Sequence, residues 1–486
     1  MEQLTADDLA SLDLTPAQMT EMGKAVMARA VANLAALPET PSRGDYTDIQ
    51  ATCRSMREGA PEKGVALDSL LDQLFDEWIP RSFTTTGSGY LAYIPGGGVY
   101  TAALADFITD SVNRYTGIWE GAPALVQLEA NVLEWVRDWM CFPQTTRGVF
   151  TTGGSMAMFN AIACAREKLL GDDIRSGTLY VSSQSHHSIV KSAKLAGIAH
   201  DRVRTIDVDE NFRIRTDDLE KAIVADRRAG LRPFMVFSNA GATNTGAVDP
   251  INAVADIAAG AGIWHHVDGA YGGFFHMVPE LRLLLSGLPR ADSLALDPHK
   301  ALFLPYGTGL LLVRDGEALR ALHSSTAGYL PDNQSEFYDP AQYGPELSRG
   351  FPGLRVWLTL KVFGAERYRA ALKEKRELAV WAAEQIALIP GVVMDAPPQL
   401  SLFAFHLEGN GLDSLAAQNA ATESLMHRIT NRGQLMLSGA MAGERYLGRV
   451  CVLSFRTRRA QMELCVQQLA EETAGLLAEA SVRARS

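Results

Sequence analysis

In SLALDPHKALFLPYGTG, Ser293 to Gly309, an apolar run ends in Asp297-Pro298-His299 and a single lysine, Lys300, follows among apolar residues. A lysine in such surroundings is costly unless it is paired, neutral or covalently used. Four other stretches also place reactive or polar residues just beyond apolar runs. In TTGGSMAMFNAI two glycines and a serine open an amphipathic helix. Unpaired backbone N–H groups and the helix dipole favour an anion there, so Gly153, Gly154 and Ser155 form a candidate phosphate cradle. It is neither the GxGxxG dinucleotide fingerprint nor a Walker loop, and it suits one small phosphate. SSQSHHSIVKSA carries His186 and His187, and NAGATNTGAVDP carries Thr243. HHVDGAYGG ends a run in Asp268 and surrounds it with small residues, Ala270 among them, that let something flat lie close to the backbone. Each stretch also has an ordinary reading as a cap, a packed imidazole or a polar turn. A metal at His265, His266 and Asp268 is disfavoured, because strand alternation turns the two imidazoles to opposite faces.

An anion cradle, an imidazole, a carboxylate and a lysine together match one ligand. Pyridoxal 5'-phosphate has a phosphate, a flat ring, a ring nitrogen that draws electrons when protonated, and an aldehyde that condenses with an amine. Lys300 would supply the amine, with desolvation expected to hold it neutral and nucleophilic. Asp268 would keep the ring nitrogen protonated, since a neighbouring carboxylate favours the cation.

Such a set has to be positioned by several elements at once. From about Gly148 the chain alternates short apolar runs (TLYVSS, RVRTIDV, PFMVFSNA, GIWHHVD, DSLALD) with helix-like stretches at 155–170, 187–196, 216–228 and 251–259. That alternation predicts an α/β fold with a mostly parallel central sheet covered on both faces, and ligands beyond the carboxyl ends of its strands. Before it, LTPAQMTEMGKAVMARAVANLAAL reads as a helix with Thr15 as N-cap and Pro16 at its first position. After Phe351 a long helix from Leu354 to about Leu388 leads into a smaller α+β unit. We read residues 1–85 as an N-terminal helical arm with little core of its own, 86–375 as the large cofactor-binding α/β domain, and 376–486 as the small C-terminal α+β domain.

At 486 residues, with 47% hydrophobic and 21% charged residues, the chain has an ordinary globular composition. Its net charge of -11 argues against non-specific nucleic-acid binding and against a basic membrane-surface role. Five scattered cysteines without CxxC spacing fit reduced thiols. The acidic start MEQLTADDLASLDL lacks the features of a signal peptide, and no apolar run is long enough to span a bilayer, so a cytoplasmic location is expected.

The same motifs, in order, resemble the pyridoxal-phosphate-dependent group II amino-acid decarboxylases, which include aromatic-L-amino-acid, glutamate and cysteine-sulfinate decarboxylases. The resemblance runs from YIPGGGVYTAALADF through PELSRGFPGLRVWLTLKVFG to SGAMAGERYLGRVCVLSFRT, most of the chain. It implies fold type I, aspartate-aminotransferase-like, and a homodimer with active sites at the subunit interface. It maps Lys300 as the Schiff-base residue, Asp268 as the pyridinium partner and His186 as the stacking imidazole. Gly154 and Ser155 map to phosphate contacts, Thr243 and Ala270 to ring contacts, and His299 to a place beside phosphate and substrate. The implied activity is decarboxylation of an L-amino acid to its amine, aromatic substrates being favoured by Tyr93, Tyr100 and Trp119. Rival chemistries are decarboxylation of an acidic or small amino acid, transamination, carbon–carbon lyase action, decarboxylation coupled to oxidative deamination, and a non-catalytic cofactor-binding regulator.

Three departures from the family pattern stand out. Ala301 replaces a tryptophan, and Gly96-Gly97-Gly98 replaces bulkier residues, both expected to reshape the pocket. In YLPDNQSEFYDPAQYGPELSR, expected to be a mobile loop over the site, Pro340 falls where the family's proton-donating tyrosine belongs. Tyr338 is the favoured substitute and Tyr343 the alternative.

Overall fold

The computed structural model describes residues 11–324, 337–409 and 411–483. Its central sheet has seven strands in the order β1-β7-β6-β5-β4-β2-β3. These are β1 (Arg147–Thr151), β2 (Gly177–Ser182), β3 (Val203–Ile206), β4 (Arg232–Asn239), β5 (Trp264–Asp268), β6 (Ser293–Leu296) and β7 (Gly309–Val313). Strands β3, β2, β4, β5 and β6 are mutually parallel, while β7 runs antiparallel to both β6 and β1. The chain has an α/β fold with a mostly parallel sheet, as the alternation predicts.

Side-chain alternation splits the interior into two layers. Leu310 and Leu312 of β7 join Phe274, Val356 and Leu372 on one face. Leu311 and Val313 join Ala157, Met158, Ala161 and Ile162 on the other. The helix Gly154–Leu170 covers that second face, and small alanines on its buried side let it lie close. His265 and His266 are both fully inside. Each pairs with its own serine, Ser238 and Ser293, both at 2.7 Å, and burial lowers both imidazoles to about 3. Their place is structural.

The predicted helix start at Thr15 is found in Pro16–Ala35: the Thr15 hydroxyl accepts from the Gln18 amide, and the Gln18 side chain accepts from the Thr15 amide. None of its residues is buried. The long helix spans Pro352–Ile386 and is broken at Gly364, whose φ of 74° lies outside the helical region. Beyond it, β8 (Val392–Ala396), β9 (Leu402–Leu407), β10 (Ser438–Ala442) and β11 (Arg445–Cys451) form a four-stranded antiparallel sheet in the order β10-β11-β9-β8. The helix Leu415–Asn431 packs on it through Ala421, Leu425 and Ile429. No helix among the described residues is long and apolar enough to cross a membrane.

The first two glycines of the triplet have a packing reason rather than a pocket-widening one. A Cβ on Gly96 would stand 2.0 Å from the His299 carbonyl oxygen, and one on Gly97 would press on Ser454 and Phe455. Glycine lets this segment lie directly against the lysine-bearing turn.

Candidate active site

The carboxyl ends of β4, β5 and β6 lie side by side, with Asn239 in register with Asp268 and Asp268 with Ala295. Just beyond them a cavity of about 380 Å3 is lined by Gly154, Ser155, His186, Thr243, Asp268, Ala270, His299 and Lys300. Every expected cofactor-contact residue therefore reaches one cavity.

The glycine turn after β1 begins the helix Gly154–Leu170, whose N-cap, Gly153, has no side chain to bond the first amides. Those amides lack intrahelical acceptors and are available to an anion. β7 crosses so closely that a Cβ on Gly309 would lie 2.5 Å from the Gly153 Cα. The turn can therefore carry no bulk at either place.

Asp268 closes β5, and its Oδ1 accepts from the Ala270 amide at 3.1 Å. Burial raises its carboxyl above the ordinary range, with Lys300 and the Ala270 amide opposing. His186 follows β2. Its Nδ1 lies 2.7 Å from the Ser188 hydroxyl and 3.3 Å from the Ser188 amide. An amide can only donate, so Nδ1 accepts and the ring proton is assigned to Nε2. Burial, helped by His187 and Lys300, lowers His186 to about 4 and keeps the ring neutral. Thr243 sits in the turn after β4, which Asp249 pins by accepting from the Asn239 amide at 2.6 Å. Arg449 donates to the carbonyls of Thr243 and Asn244.

Lys300 lies on the short helix Pro298–Ala301. Its Nζ is 2.9 Å from Asp297 Oδ2. Burial works against its charge, but Asp297, with Asp268 behind it, outweighs that and raises the ammonium above its ordinary value. Desolvation, expected to hold Lys300 neutral, is thus opposed by a carboxylate that the motif itself contains. Asp297, 1% exposed, was not singled out from sequence. Its spacing from Lys300, i and i+3 on one helical turn, was the available signal. A second unforeseen link is Arg355, which donates to the Thr308 hydroxyl at 2.8 Å while the Thr308 carbonyl lies 2.8 Å from His299 Nδ1.

Tyr338 is not brought to this cavity. Its ring stacks on Tyr343 at 5.2 Å, and it lines a separate space of about 280 Å3 with Arg137, Thr146 and Arg320. Burial pushes its phenol well above the ordinary value. The loop expected to be mobile is anchored from 337 onward: Ala341 donates to the Gly117 carbonyl, Arg320 to Gln342 and Arg349 to Glu129. Residues 325–336, including Tyr329 and the first part of that loop, lie outside the described residues. Tyr93, Tyr100 and Trp119 do not line the cavity either; Trp119 stacks on Phe337 at 4.7 Å.

Residues 52–408 match the model of the pyridoxal-dependent decarboxylase conserved domain. The chain belongs to the pyridoxal-dependent decarboxylase family. Its similarity to an aromatic-L-amino-acid decarboxylase of Bacillus atrophaeus is 32% identity over 472 residues, covering 95% of this chain and 97% of that one. A 4-hydroxyphenylacetaldehyde synthase of Rhodiola rosea is 28% identical over 431 residues, covering 85% and 86%. The crystal structure of Catharanthus roseus tryptophan decarboxylase in complex with L-tryptophan shares the fold, with a TM-score of 0.88 at 24% identity, covering 95% of this chain and all of that one. The chain is a pyridoxal-phosphate-dependent amino-acid carboxy-lyase. The cavity fits that cofactor: it offers an uncapped helix start for a phosphate, a carboxylate facing a lysine, and a neutral imidazole.

Proposed function

We propose that the cavity around Lys300 decarboxylates an aromatic L-amino acid to its amine, and that the chain works as a homodimer. One observation carries the site assignment: Lys300, Asp268, His186 and the Gly154–Ser155 helix start converge on a single cavity. The aromatic substrate is supported by the decarboxylase from Bacillus atrophaeus and by the tyrosine decarboxylase of Papaver somniferum, 26% identical over 429 residues.

Bound there, pyridoxal phosphate supplies an aldehyde that captures the substrate amine and a protonated ring that accepts the electron pair left by CO2. The protein's residues position and hold. The amides at Gly154 and Ser155 take the phosphate. Asp268 retains the proton on the ring nitrogen. His186 offers a neutral face to a flat ring, and Thr243 and Ala270 bound it. Lys300 offers its amine once its proton has passed from the Asp297 pair to solvent.

Dimerisation is supported by the arm. Pro16–Ala35 has no fully buried residue, and Met19, Val26, Met27 and Val31 stand 43–53% exposed along it. A second copy would cover that face. Sedimentation at low micromolar concentration should give a dimer. A cytoplasmic location is supported by the five cysteines, all of them free thiols.

A second reading is favoured by the placement of Tyr338 outside the cavity. With Tyr338 not there to protonate the substrate carbon, oxygen can consume the carbanion. Amino acid, O2 and water then give aldehyde, CO2, ammonia and hydrogen peroxide. Incubating the loaded enzyme with a panel of amino acids and measuring amine, CO2, aldehyde and peroxide separates the two. Amine and CO2 in equal amounts from aromatic substrates support the first reading; peroxide matching CO2 supports the second.

A further inference from the structure

Asp297 is a carboxylate lodged inside an anion cradle. A Cβ on Gly154 would lie 3.3 Å from Asp297 Oδ2, and one on Gly309 2.8 Å from Oδ1, so the carboxylate touches the turn whose amides await a phosphate. Oδ2 is held by Lys300 Nζ at 2.9 Å and faces His299 Nε2 at 3.5 Å. Oδ1 is buried and has no hydrogen-bond partner among the described residues. A buried, unpaired carboxylate oxygen is expensive and calls for a donor.

Lys300 cannot be that donor when it serves the cofactor, since the same nitrogen would engage the aldehyde. Asp297 would then face a phosphate ester with both oxygens short of donors, anion against anion. The other ionisable groups around it are His299 on its own segment, Asp268 ending β5 and His186 after β2; Arg355, from the long helix, acts on His299. Burial lowers His299, so it is a poor source of the missing proton. Thr308 and Gly309 of the β7 side bring no charge.

We propose that Asp297 shares one proton with the cofactor phosphate, so that the site takes up the ester together with a proton from solvent. The O–H of one group donates to an oxygen of the other, Oδ1 gains its partner, and no bond to phosphorus changes. This rests on the assignment of the cavity to pyridoxal phosphate.

The test reads the phosphate and the proton, not turnover. In 31P NMR of the wild-type holoenzyme, the resonance should lie toward the free monoanion up to about two pH units above the ester's own second pKa of about 6. In Asp297→Asn, whose amide donates without a proton, it should move to the dianion position and cease to respond to pH. Binding of pyridoxine 5'-phosphate, which lacks the aldehyde, to Lys300→Ala, which leaves Asp297 without its ammonium partner, isolates the phosphate from Lys300 chemistry. Above pH 7 its affinity for Lys300→Ala should fall about tenfold more per pH unit than for Lys300→Ala combined with Asp297→Asn, the signature of one linked proton. A dianionic, pH-independent wild-type resonance overturns the inference without recourse to any variant, as do equal slopes. Borohydride labelling of a lysine other than Lys300 overturns the cavity assignment and this inference with it. A label on Lys300 with a dianionic phosphate overturns this inference alone.

Discussion

Replacing Asp268 with Asn separates its charge from its shape. The amide keeps an oxygen for the Ala270 amide, now bonded at 3.1 Å, so the end of β5 should fold unchanged. What is lost is one negative charge, the one the proposed function sets against the ring nitrogen. Two unit charges about 4 Å apart interact by about 4 kcal/mol at an effective dielectric of about 20. That corresponds to roughly three pKa units on the ring nitrogen, and roughly a thousandfold in the chemical step. Lys300 responds in the opposite sense. Asp297 and Asp268 both raise it, so losing Asp268 lowers the ammonium and makes its amine easier to free. Cofactor loading should therefore persist while turnover collapses. Single-turnover CO2 release with saturating cofactor measures the step, and borohydride trapping measures loading. Turnover within tenfold of wild type would refute the electrostatic role. Loss of loading in step with turnover would show that Asp268 acts through binding instead.

Glu129 and Arg349 form a buried ion pair, with side chains 0% and 7% exposed, and Glu129 also accepts from the Gly353 amide. Glu129→Ala should cost about 3–5 kcal/mol in denaturant unfolding, and pairing it with Arg349→Met should recover much of that; a cost under about 1 kcal/mol contradicts the pairing. His406 lies between Asp395 at 2.9 Å and Glu408 at 3.0 Å. Burial opposes its charge, but the two carboxylates outweigh it and raise the imidazole. Its contribution, on the order of 1 kcal/mol, should be complete below the unfolded value of about 6.5 and vanish as pH rises through the folded one. Comparing thermal unfolding of wild type and His406→Gln from pH 5.5 to 9 checks this, and a difference that grows with pH would reverse the sign. Tyr338→Phe should leave the amine-to-aldehyde ratio unchanged, since the phenol is packed against Tyr343 away from Lys300; a rise in aldehyde would show that it reaches the site.

The sheet and most cavity residues were legible because each of the latter follows a strand whose apolar run marks its own end. The helix at Pro16 was equally plain, since Thr15, Pro16 and Gln18 encode a local hydrogen-bond pattern. β7 was hidden inside LPYGTGLLLV: five apolar residues give no direction, and its antiparallel course follows from the short turn at Pro298–Ala301. The break at Gly364 leaves no trace in a helical period that continues beyond it. The partner of Lys300 was visible as Asp297, three residues earlier, but a four-residue helix is not a pattern that periodicity detects. The position of Tyr338 was not legible because loop anchorage depends on Gly117, Arg320 and Glu129, residues distant in sequence. The glycines at 96 and 97 answer to His299, Ser454 and Phe455, which no local reading brings together.

The central claim is that Lys300 is the residue that takes the cofactor. Borohydride reduction of the loaded enzyme followed by peptide mapping should place one pyridoxyl group on the peptide containing LALDPHKAL, at Lys300, and Lys300→Ala should lose the label while still binding the phosphate ester. A label on any other lysine, or one that survives in Lys300→Ala, would contradict the account.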